Sequence, residues 1–174
     1  MSGQRRTVGA ILDASSRGAN RLAEGVMAVF LAAMALLVGV QIAGRFVFSY
    51  SIFWSDELAR FLLVWISFLG MSIGVRRGAH PGIDSLVRAL PPWPARVVLT
   101  LALLLSLLFF AVMMVYGWAL VVRTWPQRSV SLGLRMGIPY LAVPASGLLM
   151  FLHAAAIGVR GEPPLTGAGE VHGD

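Results

Sequence analysis

Residues 97–122 read VVLTLALLLSLLFFAVMMVYGWALVV, a run without a single charged side chain. A helix needs about 20 residues to cross the hydrocarbon core of a bilayer, because each residue rises about 1.5 Å along a core about 30 Å thick. In lipid, only helices and closed barrels satisfy every backbone hydrogen-bonding group. This stretch therefore predicts a transmembrane helix. Other charge-free runs of similar length are candidates for further transmembrane helices.

Three further segments have the same character. Residues 25–44 and 136–159 also lack charged side chains, and residues 61–75 form a shorter uncharged run that reaches spanning length if its helix begins at Trp54. A half-buried re-entrant helix is the alternative for this last segment. The expected fold class is all-α, a polytopic membrane protein with four transmembrane helices and short interfacial helices. The expected membrane domain covers residues 24–159, with spans at about 24–45, 54–75, 96–122 and 137–159.

The composition agrees with a membrane protein. Of the 174 residues, 57% are hydrophobic and 13% are charged, whereas soluble domains have about 25% charged residues. The formal net charge of +6 comes from arginines that flank apolar runs, so we expect no nucleic-acid partner. The chain has no cysteine, which excludes disulfides, iron–sulfur ligation and thiol chemistry.

The segments outside the spans indicate the orientation. Residues 1–23 predict either an amphipathic helix on the membrane surface or a disordered basic leader, residues 76–96 predict a short interfacial helix, and residues 160–174 predict a disordered tail. With the N-terminus inside, nine arginines lie on the cytoplasmic side and five on the other. The positive-inside rule then predicts that both termini are cytoplasmic.

The most distinctive polar cluster lies at the N-terminal end of the second span, from Trp54 to Arg60. Ser55 is expected to cap the helix, Asp56 and Glu57 to interact with its positive N-terminal end, and Asp56 to pair with Arg60 four residues later. The alternative is a cation or proton site, since ionisable groups in membranes are often functional. The position of the cluster at the membrane edge favours the structural interpretation.

Two further features suggest contacts between the first two spans. Gln41 and Arg45 lie one turn apart at the end of the first span, and Arg45 is expected either to pair with the acidic cluster or to extend to the interface. Gly70 and Gly74 form a small-residue pair that could allow close helix packing. A matching stripe on the first span consists of Ala28, Ala32, Ala35, Gly39 and Ala43.

Motifs for catalysis or cofactor binding are not evident. His80 lies in the loop before the third span and His153 deep in the fourth, where a hydrogen bond to a neighbouring helix is the expected role. There is no phosphate-binding loop, zinc spacing or nucleophile elbow, so we expect no enzyme and no cofactor. The spans also lack the midplane charges and the broken, repeated helices of a self-sufficient transporter.

The residues in these positions resemble the small, DctQ-like membrane subunit of tripartite ATP-independent periplasmic (TRAP) transporters. The resemblance covers residues 22–159 and rests on the order and spacing of several short motifs. These are Gln41-x-x-x-Arg45-Phe46, Trp54-x-Asp56-Glu57-Leu58-x-Arg60, Gly70, Arg76-Arg77-Gly78-x-His80-x-x-Ile83-Asp84 and a proline-containing fourth span. The acidic pair departs mildly from the two glutamates that are more common in the family.

This resemblance implies three partners: the lipid bilayer, a large permease subunit and a periplasmic substrate-binding protein. The binding protein would capture an organic anion such as a dicarboxylate, and the large subunit would carry it inward with sodium by an elevator-like motion. The small subunit would brace the immobile scaffold in the bacterial inner membrane. Asp56, Glu57 and Arg60 would then hold the N-terminal end of the second span in position on the periplasmic side. Arg123, Arg128 and Arg135 would contact the binding protein.

Two alternatives remain open from the sequence. A small four-helix multidrug exporter needs an ionisable group within a span, and Glu24 lies at the edge of the first one. A haem or quinone anchor of a membrane oxidoreductase needs paired axial ligands, for which only His153 has a suitable depth.

Overall fold

The computed structural model describes residues 2–47, 49, 53–77 and 90–160, with side chains from residue 14 to residue 159 within those ranges. In this part of the chain the regular elements are helices. They are α1 (Ser2–Val47), α2 (Ser55–Arg76), α3 (Pro92–Thr124), α4 (Gly137–Tyr140) and α5 (Ala142–Arg160). Four helical stretches are long and apolar enough to cross a membrane: Ala14–Val47, Ser55–Arg76, Pro92–Thr124 and Gly137–Val159. The all-α, four-span fold class is confirmed.

The helix ends refine the predicted boundaries. Helix α1 is continuous from Ser2 to Val47, so the segment expected to lie on the membrane surface extends directly into the first span. Helix α3 begins at Pro92, earlier than the expected start at residue 96. Proline is tolerated there because an N–H group in the first turn of a helix has no intrahelical acceptor, so its absence costs no hydrogen bond. Most of the predicted interfacial helix between spans two and three, including His80, and the tail after residue 160 lie outside the described residues.

The fourth span is interrupted near its start, as its prolines predict. Helix α4 ends at Tyr140 and α5 begins at Ala142, with Leu141 between them. Pro144 has no N–H to donate to the carbonyl of Tyr140, and its ring crowds that carbonyl. Hydrogen bonds on either side maintain the helical direction, from Leu141 N to Gly137 O at 3.0 Å and from Ala145 N to Leu141 O at 3.1 Å.

Helix α5 lies at the centre of the bundle. It packs against α1, α2 and α3, whereas α3 contacts neither α1 nor α2 among the described elements. The most buried positions of α5 recur every three or four residues, so that one stripe of the helix is enclosed by its neighbours. They are Ala142, Ser146, Met150, His153, Ala154 and Ala156.

Two apolar clusters hold this arrangement together. In the first, Ala23 of α1 packs against Leu69 and Ile73 of α2, with Phe30 and Trp65 in edge-to-face contact, their ring centroids 6.1 Å apart. In the second, Phe110 of α3 packs against residues of α5. The outer surfaces of α1 and α3 are largely apolar and exposed, as expected for helices that meet lipid or a partner protein.

The expectation that small residues mediate α1–α2 packing was wrong. The stripe from Ala28 to Ala43 is exposed on the outer face of α1, a Cβ at Gly74 would meet no atom within 4 Å, and one at Gly70 would meet only Met27 Sδ at 3.7 Å. The larger side chains of the first cluster fill the α1–α2 interface instead. A small-residue stripe permits close approach but does not select the helix that approaches.

Glycines allow a close approach between α3 and α5. A Cβ at Gly117 would lie 3.0 Å from both Pro144 Cδ and Val143 Cγ1, and one at Gly147 would lie 3.3 Å from Met113 Cβ. The Leu-rich third span, with its bulky phenylalanines and methionines, predicts little packing of this kind. The required space comes from single glycines near one end of α3 and on the facing side of α5.

Candidate functional site

Polar side chains concentrate at the two ends of the bundle. We define the hairpin end as the start of α2 together with loop residues 125–136, and the His153 end as the polar cluster formed by α1, the C-terminal part of α2 and His153. Between them, the spans carry no charged side chain, because residues 25–44, 61–75, 97–122 and 136–159 contain none.

Glu57 links α2 to the loop that follows α3. Its Oε2 accepts hydrogen bonds from the backbone N–H groups of Ser131 at 2.9 Å and Leu132 at 3.0 Å. Hydrogen bonds to an ionised carboxylate are stronger than those between neutral groups. The residue selected from sequence as a stabiliser of its own helix thus holds a loop more than 70 residues away.

The loop itself is a small hairpin. An isolated antiparallel bridge pairs Arg128 with Arg135, and Ser129 N donates to Leu134 O at 2.8 Å. Gly133 turns the chain with a φ of +66°, a conformation in which a side chain would be strained. Val130 is fully exposed at the tip. The carboxylate of Glu57 therefore contacts a preformed turn.

Asp56 bonds to α1 through an amide. Gln41 Nε2 donates to Asp56 Oδ1 at 2.6 Å, which ties the end of α1 to the start of α2. The expected contact between the two spans exists, and it is made by Gln41. Of the two alternatives for Arg45, the structure does not show the ion pair: in the described part of the chain, Arg45 is not paired with Asp56 or Glu57. Arg45 is exposed at the last turn of α1, where its charge interacts favourably with the negative end of the helix.

Two expectations at the start of α2 were wrong. Trp54, rather than Ser55, occupies the N-cap position, without a side-chain cap; Ser55 is the first helical residue and is completely buried. Arg60 does not pair with the carboxylate of Asp56, because its Nε donates to the Asp56 backbone carbonyl at 3.3 Å. The carboxylates of both acidic residues are therefore directed to other elements.

Three arginines lie at or near the hairpin. Arg123 is exposed in the last turn of α3, whereas Arg128 and Arg135 face each other across the bridge. Arg128 Nη1 donates to Gly133 O at 3.0 Å, and the Arg135 guanidinium lies 5.2 Å from the centroid of the Trp125 ring. The structure thus groups two of the three arginines that were expected to contact another protein.

At the opposite end, His153 joins α5 to α1 and α2. Its Nδ1 lies 2.8 Å from Ser16 Oγ of α1, and the same hydroxyl accepts a hydrogen bond from Arg76 of α2. Ser16 and His153 are each 1% exposed. The expected hydrogen bond of His153 to a neighbouring helix is confirmed, and it is one part of a three-helix polar contact.

A second contact lies beside this one. Glu24 Oε1 of α1 accepts hydrogen bonds from Asn20 Nδ2 at 2.9 Å and from Arg77 Nη2 of α2 at 3.0 Å. Two buried polar atoms nearby, Asn20 Oδ1 and His153 Nε2, have no hydrogen-bond partner among the described residues. The charge of Glu24 is thus used in a contact within the chain, which weakens the interpretation of this residue as the titrating group of an exporter.

Sequence reasoning overlooked Ser16 and Asn20. Residues 1–23 are predicted from the sequence as a segment separate from the first span, and neither Ser16 nor Asn20 is among the sequence candidates. A signal was present: Ser16, Asn20, Ala23, Met27 and Phe30 follow the three- and four-residue spacing of a single buried stripe. Continuing that stripe upstream from the span would have placed these two polar residues inside the bundle.

The remaining sequence candidates have more limited roles. Gly70 and Gly74 lie on α2 without tight contacts, and His80 lies outside the described ranges. Within the described part of the chain, no three His, Asp or Glu side chains are grouped so that they could hold a metal ion.

The chain is similar in sequence to proteins of one membrane transport family. The family model for tripartite ATP-independent periplasmic transporters, DctQ component, matches residues 34–161. The chain is 36% identical over 126 residues to the C4-dicarboxylate TRAP transporter small permease protein of Rhodobacter capsulatus, a match that covers 69% of this chain and 56% of that protein. It is 27% identical to the corresponding Pseudomonas aeruginosa protein, with 80% and 82% coverage.

A third relative is much longer. The sialic acid TRAP transporter permease protein of Haemophilus influenzae is 30% identical over 139 residues, which cover 76% of this chain but only 22% of the relative. The match to the family model extends over three of the four spans and the end of the first, including both acidic residues of α2 and the hairpin. The chain therefore belongs to the DctQ family, the small permease component of TRAP transporters.

Proposed function

We propose that this chain is a non-catalytic scaffold that braces a large permease subunit during sodium-coupled, binding-protein-dependent uptake of an organic anion such as a dicarboxylate. The observation that carries the proposal is the distribution of polar groups. Glu57, Asp56 and His153 each bond to another helix or loop of the same chain, and the spans between the two ends have no charged group. Such a bundle is suited to rigidity rather than to carrying an ion.

A physical partnership with the large subunit is supported by chain length. In the Haemophilus influenzae permease, and in the isethionate TRAP transporter permease of Oleidesulfovibrio alaskensis, the region similar to this chain makes up 22% and 16% of the protein. A region that is covalently joined to a larger permease in some relatives is expected to contact that permease where the two are separate chains. The large apolar surfaces of α1 and α3 provide area for such contact.

The proposed orientation has both termini in the cytoplasm of a bacterium, with the hairpin end in the periplasm. The excess of arginines on the side of the N-terminus supports it. The exposed tip at Val130 and the arginines Arg123, Arg128 and Arg135 would then face the substrate-binding protein. Glu57 would set the position of this surface, because it holds the turn next to the tip.

The relatives indicate a chemical class of substrate and not a single compound. The relatives include C4-dicarboxylate, sialic acid, isethionate and ectoine transporters. All four compounds carry a carboxylate or sulfonate group, three of them are net anions, and the relative with 36% identity is a C4-dicarboxylate protein. We therefore propose an organic anion, with a C4-dicarboxylate as the first compound to test.

Co-purification tests the proposed partnership. The tagged chain is expressed with the large permease encoded beside its gene and is isolated in mild detergent, and the permease is expected in the same chromatographic peak. Glu57→Ala should reduce the yield of this complex more than Asp56→Ala, since Glu57 receives two backbone hydrogen bonds from the hairpin and Asp56 one amide. A chain that always elutes alone, or a Glu57→Ala complex with full yield and altered substrate preference, would contradict the scaffold role.

A further inference from the structure

A groove at the hairpin end combines an apolar wall with two arginines. Its volume is about 710 Å³, within the range of about 300–1,000 Å³ that is usual for pockets that bind small molecules. The wall comes from the last turns of α3 and from Leu141, and the arginines come from the hairpin. The lining residues are Trp118, Val121, Val122, Trp125, Pro126, Arg128, Arg135 and Leu141.

The two arginines lack a negative partner in the described part of the chain. Arg128 and Arg135 are paired across an antiparallel bridge, a position in which like charges destabilise each other. Among the described residues, the acidic side chain bonded to this loop is Glu57, and its hydrogen bonds go to the backbone N–H groups of Ser131 and Leu132. A phosphate between the two guanidinium groups would relieve their repulsion.

Both guanidinium groups have donors to spare. A guanidinium has five N–H donors, and the recorded hydrogen bond of Arg128 to Gly133 O uses one of them. The Arg135 guanidinium lies over the ring of Trp125, 5.2 Å from its centroid, in a cation–π contact that uses the face of the group and not its N–H donors. Planar, forked donors of this kind suit phosphate oxygens.

The apolar wall indicates what carries the phosphate. Trp118 and Trp125 mark the end of the third span, where tryptophan rings lie at the level of lipid headgroups, and Val122 is exposed between them toward the membrane. An acyl chain along this wall would have its phosphate at the height of the hairpin. Free phosphate would use the arginines but leave the apolar wall uncovered.

We propose that this groove binds one anionic phospholipid, with its phosphate between Arg128 and Arg135 and an acyl chain along Trp118 and Val122. Assigning the lipid to the periplasmic leaflet rests on the orientation proposed above; the site itself does not. The bound lipid joins the hairpin to the end of α3 and thereby adds to the restraint from Glu57. Arg123 and the tip at Val130 are left accessible for the binding protein, whereas Arg128 and Arg135 would meet that protein only through the bound lipid.

Quenching of tryptophan fluorescence tests this site. The full chain, in complex with the large permease where the two co-purify, is placed in phosphatidylcholine nanodiscs that contain increasing fractions of phosphatidylglycerol with brominated acyl chains. Saturable quenching is expected at low fractions of this lipid. Replacing both Arg128 and Arg135 with Gln should raise the half-saturating fraction at least tenfold, and replacing both with Lys should restore most of the affinity.

Controls separate the lipid from other occupants. Arg123→Gln removes a nearby exposed arginine that does not line the groove and should leave the quenching curve unchanged. Brominated phosphatidylcholine should quench without saturation, and millimolar inorganic phosphate should not displace the anionic lipid. Equal quenching of the Gln double variant and the unmodified protein, or complete displacement by phosphate, would overturn the proposal; co-purification with the permease would be unaffected by either result.

Discussion

At the scale of single residues, several polar side chains bond to another element of the same chain. Glu57 holds the hairpin, Gln41 bonds to Asp56 across two helices, and Ser16 connects His153 with Arg76. Within an apolar bundle, such contacts avoid the cost of leaving buried polar groups unbonded. They fix the register of helices whose apolar faces alone would permit sliding.

The substitution Ser16→Ala tests the three-helix contact. It removes the hydroxyl but leaves Arg76 and the ring of His153 in place, and the loss of these bonds should lower the free energy of unfolding by about 1–2 kcal/mol. The measurement is unfolding of the purified chain in mixed micelles with increasing detergent denaturant. Ser15→Ala, at an exposed neighbouring position, is the matched control and should unfold like the unmodified protein. Equal unfolding of both variants would show that the contact contributes nothing.

At the scale of helices, α5 organises the bundle because its neighbours approach it at different points. Ala154 and Met150 meet Phe110 of α3, while His153 on the same helix reaches α1. The interruption at Leu141 adjoins the place where Gly117 of α3 lies against Pro144. A proline that weakens the helix thus coincides with a close approach of its neighbour.

Adding side chains at glycine positions tests this packing. Gly117→Val should lower the free energy of unfolding by about 1–3 kcal/mol, because even its Cβ would lie 3.0 Å from Pro144 Cδ. Gly39→Val adds the same side chain to α1 at a position with no atom within 4 Å of the new Cβ. Thermal melting in detergent should separate the two variants clearly. If both melted together, the α3–α5 approach would not be tight.

The number and length of the spans could be predicted, whereas their contacts could not. Charge-free runs identify spans because the bilayer excludes charge and fixes helix length. Which faces meet depends on long-range register, as in the bond between Ser16 and His153, 137 residues apart. For the same reason, the acidic cluster was found from sequence but its partners were not: Glu57 bonds to Ser131, and Arg45 is not paired with it.

At the scale of the whole molecule, a small bundle has polar restraints at both ends and apolar outer faces between them. Helices α1 and α3 lie on opposite sides of α5 and do not contact each other in the described structure, so each presents a broad outer surface. The bundle can contact lipid on one side and a permease on another without rearrangement. This arrangement suits a component that stays fixed while a partner moves.

Cysteine labelling tests the proposed orientation. The chain has no native cysteine, so Val130→Cys at the fully exposed hairpin tip gives a single reactive site. In intact spheroplasts, a membrane-impermeant maleimide should label this variant and should not label Ser15→Cys, which lies at the His153 end, until the membrane is disrupted. The reverse pattern would place both termini outside and the hairpin in the cytoplasm.

Uptake by proteoliposomes tests the scaffold role most directly. Vesicles are prepared with this chain alone, with the large permease alone and with both, and accumulation of a labelled C4-dicarboxylate is measured with purified binding protein and an inward sodium gradient. We predict full uptake with both subunits, strongly reduced uptake without this chain, and none with this chain alone. Sodium-dependent accumulation in vesicles that contain only this chain would contradict the account.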